Sequence, residues 1–228
     1  MFRVFGFGEL SKEELAAYGL FTLAFLWMKF SVLWKLMRWF AMLDGVDVPE
    51  DMNRCFCNSL AVTYFWRDWH ASFNMWIIRY MYVPLGGTKR KALVIFPIFA
   101  FIALWHDIKM QLFLWAFIMA FAMVPELVVM SKSTSSRYDW LRAKPYYRLI
   151  KAAGGTCSVL TLIAANLVGY GIGASDTGKG VGIILSTENF NFFVVIMASL
   201  FCAASISLAE RTGEENRRNK MKNQLGIM

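Results

Sequence analysis

The chain holds two histidines, His70 and His106, and each directly follows a tryptophan, Trp69 and Trp105. Both fall in one stretch from Tyr64 to Asp107. It reads YFWRDWHASFNMWIIRYMYVPLGGTKRK, then an apolar run, then FIALWHD. An imidazole accepts and returns a proton near neutral pH, so these side chains carry the readiest proton chemistry in the sequence. The segments around them are too apolar for a soluble protein, and a rare titratable group at membrane depth is by default a functional-site candidate. The plainer alternative for each is a packed structural histidine. No metal site is expected. Cys55, Cys57, Cys157 and Cys202 lack paired ligand spacing. Asp44, Asp47 and Asp51 lack the glycine and terminal glutamate of a calcium-binding loop. Cys157 and Cys202 fall in apolar runs and read as small core residues.

The elements that must position the histidines are membrane helices. Of the 228 residues 57% are hydrophobic and only 18% charged, against roughly 45–50% and about 25% in soluble domains. This composition excludes a soluble fold and predicts an all-α integral membrane protein, a multi-span bundle with interfacial and re-entrant helices. The net charge of +8 reads as cytoplasmic loop charge rather than as a nucleic-acid surface. Residues 1–14, with Arg3, Glu9, Lys12, Glu13 and Glu14, lack the pattern of a signal peptide. Residues 15–43 are expected to span, with Lys29, Lys35 and Arg38 snorkelling and Trp34 and Trp39 in an interfacial belt. Residues 44–53 are a loop.

Residues 60–83 read as one amphipathic helix. Trp66, His70, Phe73, Asn74 and Ile77 recur at three- and four-residue spacing and share a face. Arg67, Asp68 and Arg79 are too much charge for a lipid-facing span, so this helix lies in the interface or lines a polar cavity. Ala92 to Trp105 is apolar but only about 21 Å long as helix, against a hydrocarbon core of about 30 Å. Met110 to Met130 is long enough to span, with Pro125 bending it. Residues 92–130 therefore read as a broken or re-entrant pair that holds His106 at depth, or as one long tilted helix. The basic loop 131–151 is expected in the cytoplasm, 156–173 and 190–209 as spans, 174–189 on the opposite side, and the basic tail 210–228 in the cytoplasm.

FWRDWHASFNMWIIRYMYVPLGG, followed after the apolar run by ALWHD, resembles the membrane-bound O-acyltransferase family. The first block matches the family's W-R-x-W-H-x-S signature and its YVPLGG ending; the second matches the site of its near-universal histidine. WHASFN with ALWHDI is most similar to the eukaryotic glycerol-uptake-protein branch, close to the hedgehog acyltransferases, with Asp107 standing where bacterial members more often have glycine. The resemblance covers nearly the whole chain, read as one membrane domain over 1–228. Members usually carry further N-terminal spans, so it resembles the C-terminal half of one.

The resemblance implies transfer of a fatty acyl group from acyl-CoA, a co-substrate rather than a bound cofactor, to a hydroxyl. His106 takes the place of the base that deprotonates the acceptor, a role that typically contributes about 10²–10⁴-fold. Burial would keep it neutral, as a base requires. His70 occupies the second family position and would hold the acyl carbonyl or the acceptor by hydrogen bonding. Asn74, one turn on, is placed to orient His70. Asp107 adjoins His106, but sequence neighbours on a helix point apart, which weakens it as an orienting group. Trp69 and Trp105 support the histidines within an aromatic surface that either lines an acyl channel or simply packs. Arg67, Lys89 and Arg90 are candidates to meet coenzyme A phosphates. The branch implies a lyso-glycosylphosphatidylinositol acceptor in the endoplasmic reticulum, with acyl-CoA, that lipid and membrane lipids as partners and no nucleic acid. Protein acylation and a glycerol transporter or regulator are the competing functions.

Overall fold

In a computed structural model, residues 10–225 are described; Arg3, Glu9 and the rest of 1–9, with 226–228, lie outside the described residues, and with them most of the segment read for a signal peptide. The described chain is mostly helical and contains no strand among these residues. Four of its helices are long and apolar enough to cross a membrane: Lys12–Leu43, Met110–Ser133, Tyr147–Gly171 and Thr187–Leu225.

Helix α1 (Lys12–Leu43) begins at a reciprocal cap. Ser11 Oγ accepts the Glu14 amide at 3.2 Å while the Glu14 carboxylate accepts the Ser11 amide at 2.9 Å, satisfying two of the amide donors that every helix start leaves unpaired. It ends at Asp44-Gly45, where Gly45 takes φ +78. One face stays open, with Phe21, Phe25 and Val32 each about two-thirds exposed, as suits lipid contact. The loop after it folds back along α1: Lys35 reaches Glu50 and Asp51 at 3.2 and 3.3 Å, and Arg38 Nε donates to the Val48 carbonyl at 3.1 Å.

Two helices, not one, occupy residues 60–83: α2 (Val62–Asp68) and α3 (Ala71–Ile77), the latter running into a wider π turn, Ile78–Tyr82. The single amphipathic helix read from spacing is broken at Trp69-His70. A carboxylate from far along the chain fixes where α2 begins. Glu126 accepts the Val62 and Thr63 amides at 2.8 Å each, and Ser158 Oγ donates to it at 3.2 Å. Hydrogen bonds to a charged acceptor contribute about 1.5–3 kcal/mol each.

Helices α4 (Lys91–His106) and α5 (Met110–Ser133) form a tight antiparallel hairpin. Phe96 meets Phe117 and Phe99 meets Trp115, so the chain reverses over Asp107–Lys109 rather than continuing as one tilted helix. Val94, Ile98, Phe99 and Ile102 recur at three- and four-residue spacing and bury against Leu112, Trp115, Met119 and Met123. This seam is the core of the protein. At 16 residues α4 measures about 24 Å, short of a crossing.

A short helix, α6 (Asp139–Arg142), leads to α7 (Tyr147–Asn166), which widens into a π turn, Leu167–Gly171. Helix α8 (Ala174–Ile184) occupies most of the segment read only as an outer connection. Helix α9 (Phe190–Leu225) runs on from the last span through the tail without a break. At about 54 Å it outlasts any bilayer core, and its charged end docks elsewhere. Arg54 pairs with Glu214 at 2.8 Å, and Arg211 donates to the Asn58 carbonyl. Cys157 and Cys202 are exposed, not core. They sit on faces that the bundle leaves uncovered, where an apolar run marks lipid contact rather than burial.

Candidate functional site

His70 sits at the break between α2 and α3. Its φ of +45 and ψ of +58 make it the one non-glycine residue with positive φ among those described. Left-handed backbone costs an L-residue about 1–2 kcal/mol, and histidine is among the residues that tolerate it. The acidic loop holds the break on both sides: the Ala71 amide donates to the Asp51 carbonyl at 2.8 Å, and the Asn53 amide to the Asp68 carbonyl at 3.2 Å. Ser72 Oγ lies 3.4 Å from His70 Nδ1. The Asn74 side chain is not the orienting group; only its backbone amide bonds His70, at the carbonyl.

His106 closes α4 and is positioned by rings. Trp105, Trp115 and Tyr170 stand edge-on to its imidazole at 5.0, 6.0 and 5.5 Å, with interplanar angles of 72, 87 and 79°. Asp107 does not touch it. Its carboxylate accepts the Ile108 amide and pairs with Lys109, because its backbone has left the helix for an extended conformation at the reversal.

The two histidines belong to one closed circuit of rings. His70 lies 4.4 Å from Trp34, Trp34 5.6 Å from Phe30, and Phe30 6.5 Å from Tyr170. From there the circuit passes to His106, on to Trp105, then 4.7 Å to Phe73 and 5.4 Å back to His70. Every member lines one cavity of about 1410 Å³, walled mainly by aliphatic and aromatic side chains of α1, the α2–α5 segment, α7, α8 and α9. Ligand pockets usually measure about 300–1,000 Å³, so this one has room for a long apolar chain. Burial lowers the basicity of both imidazoles, which lie outside the four spans. At His70 the charge of Asp51 partly offsets this, and at His106 the charge of His70 adds to it.

The break at His70 did not scatter the residues that helical spacing had gathered: Trp66, His70, Phe73, Asn74 and Ile77 all reach the cavity wall, as do Trp69 and Trp105. Arg67 also reaches it, while forming two hydrogen bonds to Asp68 at 3.2 Å. Lys89 and Arg90 do not; they lie exposed in a turn (Gly87–Arg90), and the neighbouring Lys91 lines the cavity instead. Trp34, expected in an interfacial belt, packs on His70. Sequence reasoning passed over Trp115, fully buried beneath His106, and Tyr170. The signal for Tyr170 was its place between Gly169 and Gly171, close to the end of an apolar run.

A model of the membrane-bound O-acyltransferase family matches residues 14–154. That segment contains both histidines, the break and the hairpin. The chain belongs to the membrane-bound O-acyltransferase family. It is 36% identical over 207 residues to membrane-bound O-acyltransferase GUP1 of Saccharomyces cerevisiae, a match covering 90% of this chain and 36% of that protein. The Schizosaccharomyces pombe protein of the same name is 35% identical over 91% of the chain and 35% of its own length. Protein-cysteine N-palmitoyltransferase HHAT of mouse is 26% identical over 88% of the chain and 42% of its own length. The chain thus spans about a third of the length of the yeast proteins it matches, less than the half read from sequence. It is a membrane-embedded helical member of an acyltransferase family.

Proposed function

We propose that this protein transfers a fatty acyl group from acyl-CoA to a hydroxyl of a lipid acceptor, with His106 as general base. The observation that carries the reading is the pair of histidines on one aromatic circuit in the wall of a large apolar cavity. The acyl chain lies in the cavity. The acceptor hydroxyl gives its proton to the neutral His106, and His70 hydrogen-bonds the acyl carbonyl or the acceptor. The acceptor of choice is a lyso-glycosylphosphatidylinositol in the endoplasmic reticulum, with the basic end of α9 in the cytoplasm. Identity over most of the chain to the yeast protein, named as a membrane-bound O-acyltransferase, supports transfer to a hydroxyl.

The test is acyl transfer in microsomes from labelled acyl-CoA, with lipid and protein products separated, comparing the chain with His106→Ala at equal expression. Label on lipid that disappears on substitution is expected; equal labelling with both chains overturns the assignment. Label on polypeptide would favour the second reading, protein acylation, which the likeness to a mouse protein-cysteine N-palmitoyltransferase supports.

A further inference from the structure

We infer that Tyr170 is a third catalytic side chain of this site, its phenol donating a hydrogen bond to the thioester carbonyl oxygen as negative charge develops there. The inference rests on the acyl-transfer reading. Tyr170 lines the cavity and closes the aromatic circuit between Phe30 and His106, so its ring and the imidazole border the same space. It belongs to the π turn that ends α7, a local widening of the kind that recurs at functional sites.

The turn is held from α5, the partner strut of the hairpin that carries His106. Gln111 Nε2 donates to the Gly169 carbonyl at 3.2 Å, and Trp115 Nε1 donates to Asn166 Oδ1 at 3.3 Å. The Trp115 indole lies edge-on to Tyr170 at 5.3 Å and to His106. Gly169 makes this possible: a Cβ there would stand 2.7 Å from Trp115 Cγ. One buried indole therefore fixes imidazole and phenol relative to each other, which is what a preorganised donor requires.

In the reaction, the acceptor oxygen bonds to the carbonyl carbon as its proton passes to His106. The carbonyl π electrons move onto oxygen, where Tyr170 stabilises them without giving up its own proton. Collapse breaks the carbon–sulfur bond, and His106 returns the proton to the departing thiolate. The products are an ester and free coenzyme A.

Tyr170→Phe keeps the ring and removes the donor. Its kcat is expected to fall about 10²–10³-fold, the usual loss for one oxyanion donor, with KM, membrane abundance and thermal midpoint near those of the parent. A Tyr170→Phe chain that keeps its kcat, while His106→Ala is inactive, overturns the inference and leaves the acyl-transfer reading standing. A loss that only follows a falling abundance or thermal midpoint assigns Tyr170 to packing and also overturns it. A parent chain that transfers no acyl group overturns both.

Discussion

The two histidines are held by opposite means. His70 owes its direction to backbone: a left-handed residue at a helix break, pinned by amide bonds to the loop at Asp51 and Asn53. His106 owes its direction to neighbours: a helix-end residue with three rings edge-on to it. Strained backbone fixes a side chain cheaply in sequence, since one residue suffices, but it stores about 1–2 kcal/mol that the surroundings must offset. Packing stores no strain but needs residues from three elements, α4, α5 and the end of α7.

The largest effect separates the two roles. Replacing His106 with Ala is expected to lower acyl transfer by about 10²–10⁴-fold, since it removes the base. At His70 the losses should be graded. His70→Asn keeps a hydrogen-bonding group in a residue that tolerates left-handed backbone, so the loss there should stay near 10-fold, about one net hydrogen bond. Equal losses at both positions would erase the distinction. The strain is checked by comparing His70→Gly with His70→Ala: the glycine variant should be more stable by about 1 kcal/mol and so unfold at higher temperature, and identical midpoints would mean the break is unstrained.

Packing at His106 is probed next. Gly169→Ala pushes a Cβ into Trp115, and overpacking of this kind costs about 1–3 kcal/mol. Activity should fall along with the thermal midpoint; full activity would show that the rings do not hold His106. The pH profile is subtler. A base must be neutral, and burial favours the neutral imidazole at His106, with the charge of His70 acting in the same direction. Activity should therefore persist as pH falls through about 6.5, the ordinary histidine value, and be lost only below it. An acid limb at or above that value contradicts a desolvated base. The smallest effect is expected at Asp107→Asn, within about 0.5 kcal/mol in stability and within twofold in rate, because its partner is the exposed Lys109. A large rate loss there would restore Asp107 as an orienting group.

Much of this was legible in the residues. The apolar composition set the class, and the mismatch between a 14-residue apolar run and a bilayer about 30 Å thick pointed to a broken pair. The helical spacing of Trp66, His70, Phe73, Asn74 and Ile77 named side chains that do share the cavity wall. It did so although the helix assumed for them is interrupted, because a break closed by a left-handed residue preserved their common side. Tails and connections were less legible. Residues 210–225 continue α9 as helix because docking through Glu214 and Arg211 lets polar sequence extend an apolar span.

What the sequence determined by itself was local: which residues carry proton chemistry, which stretches are too apolar for water, and where glycine and proline interrupt them. Those follow from side-chain type and short-range spacing. Only the tertiary structure decided that Trp34 packs on His70, that Glu126 caps a helix more than sixty residues away in sequence, and that Trp115 and Tyr170 fix His106. Each of these joins elements distant in the chain. No periodicity records such pairings, because the packing of one helix face against another is set by the assembled bundle and not by either helix alone.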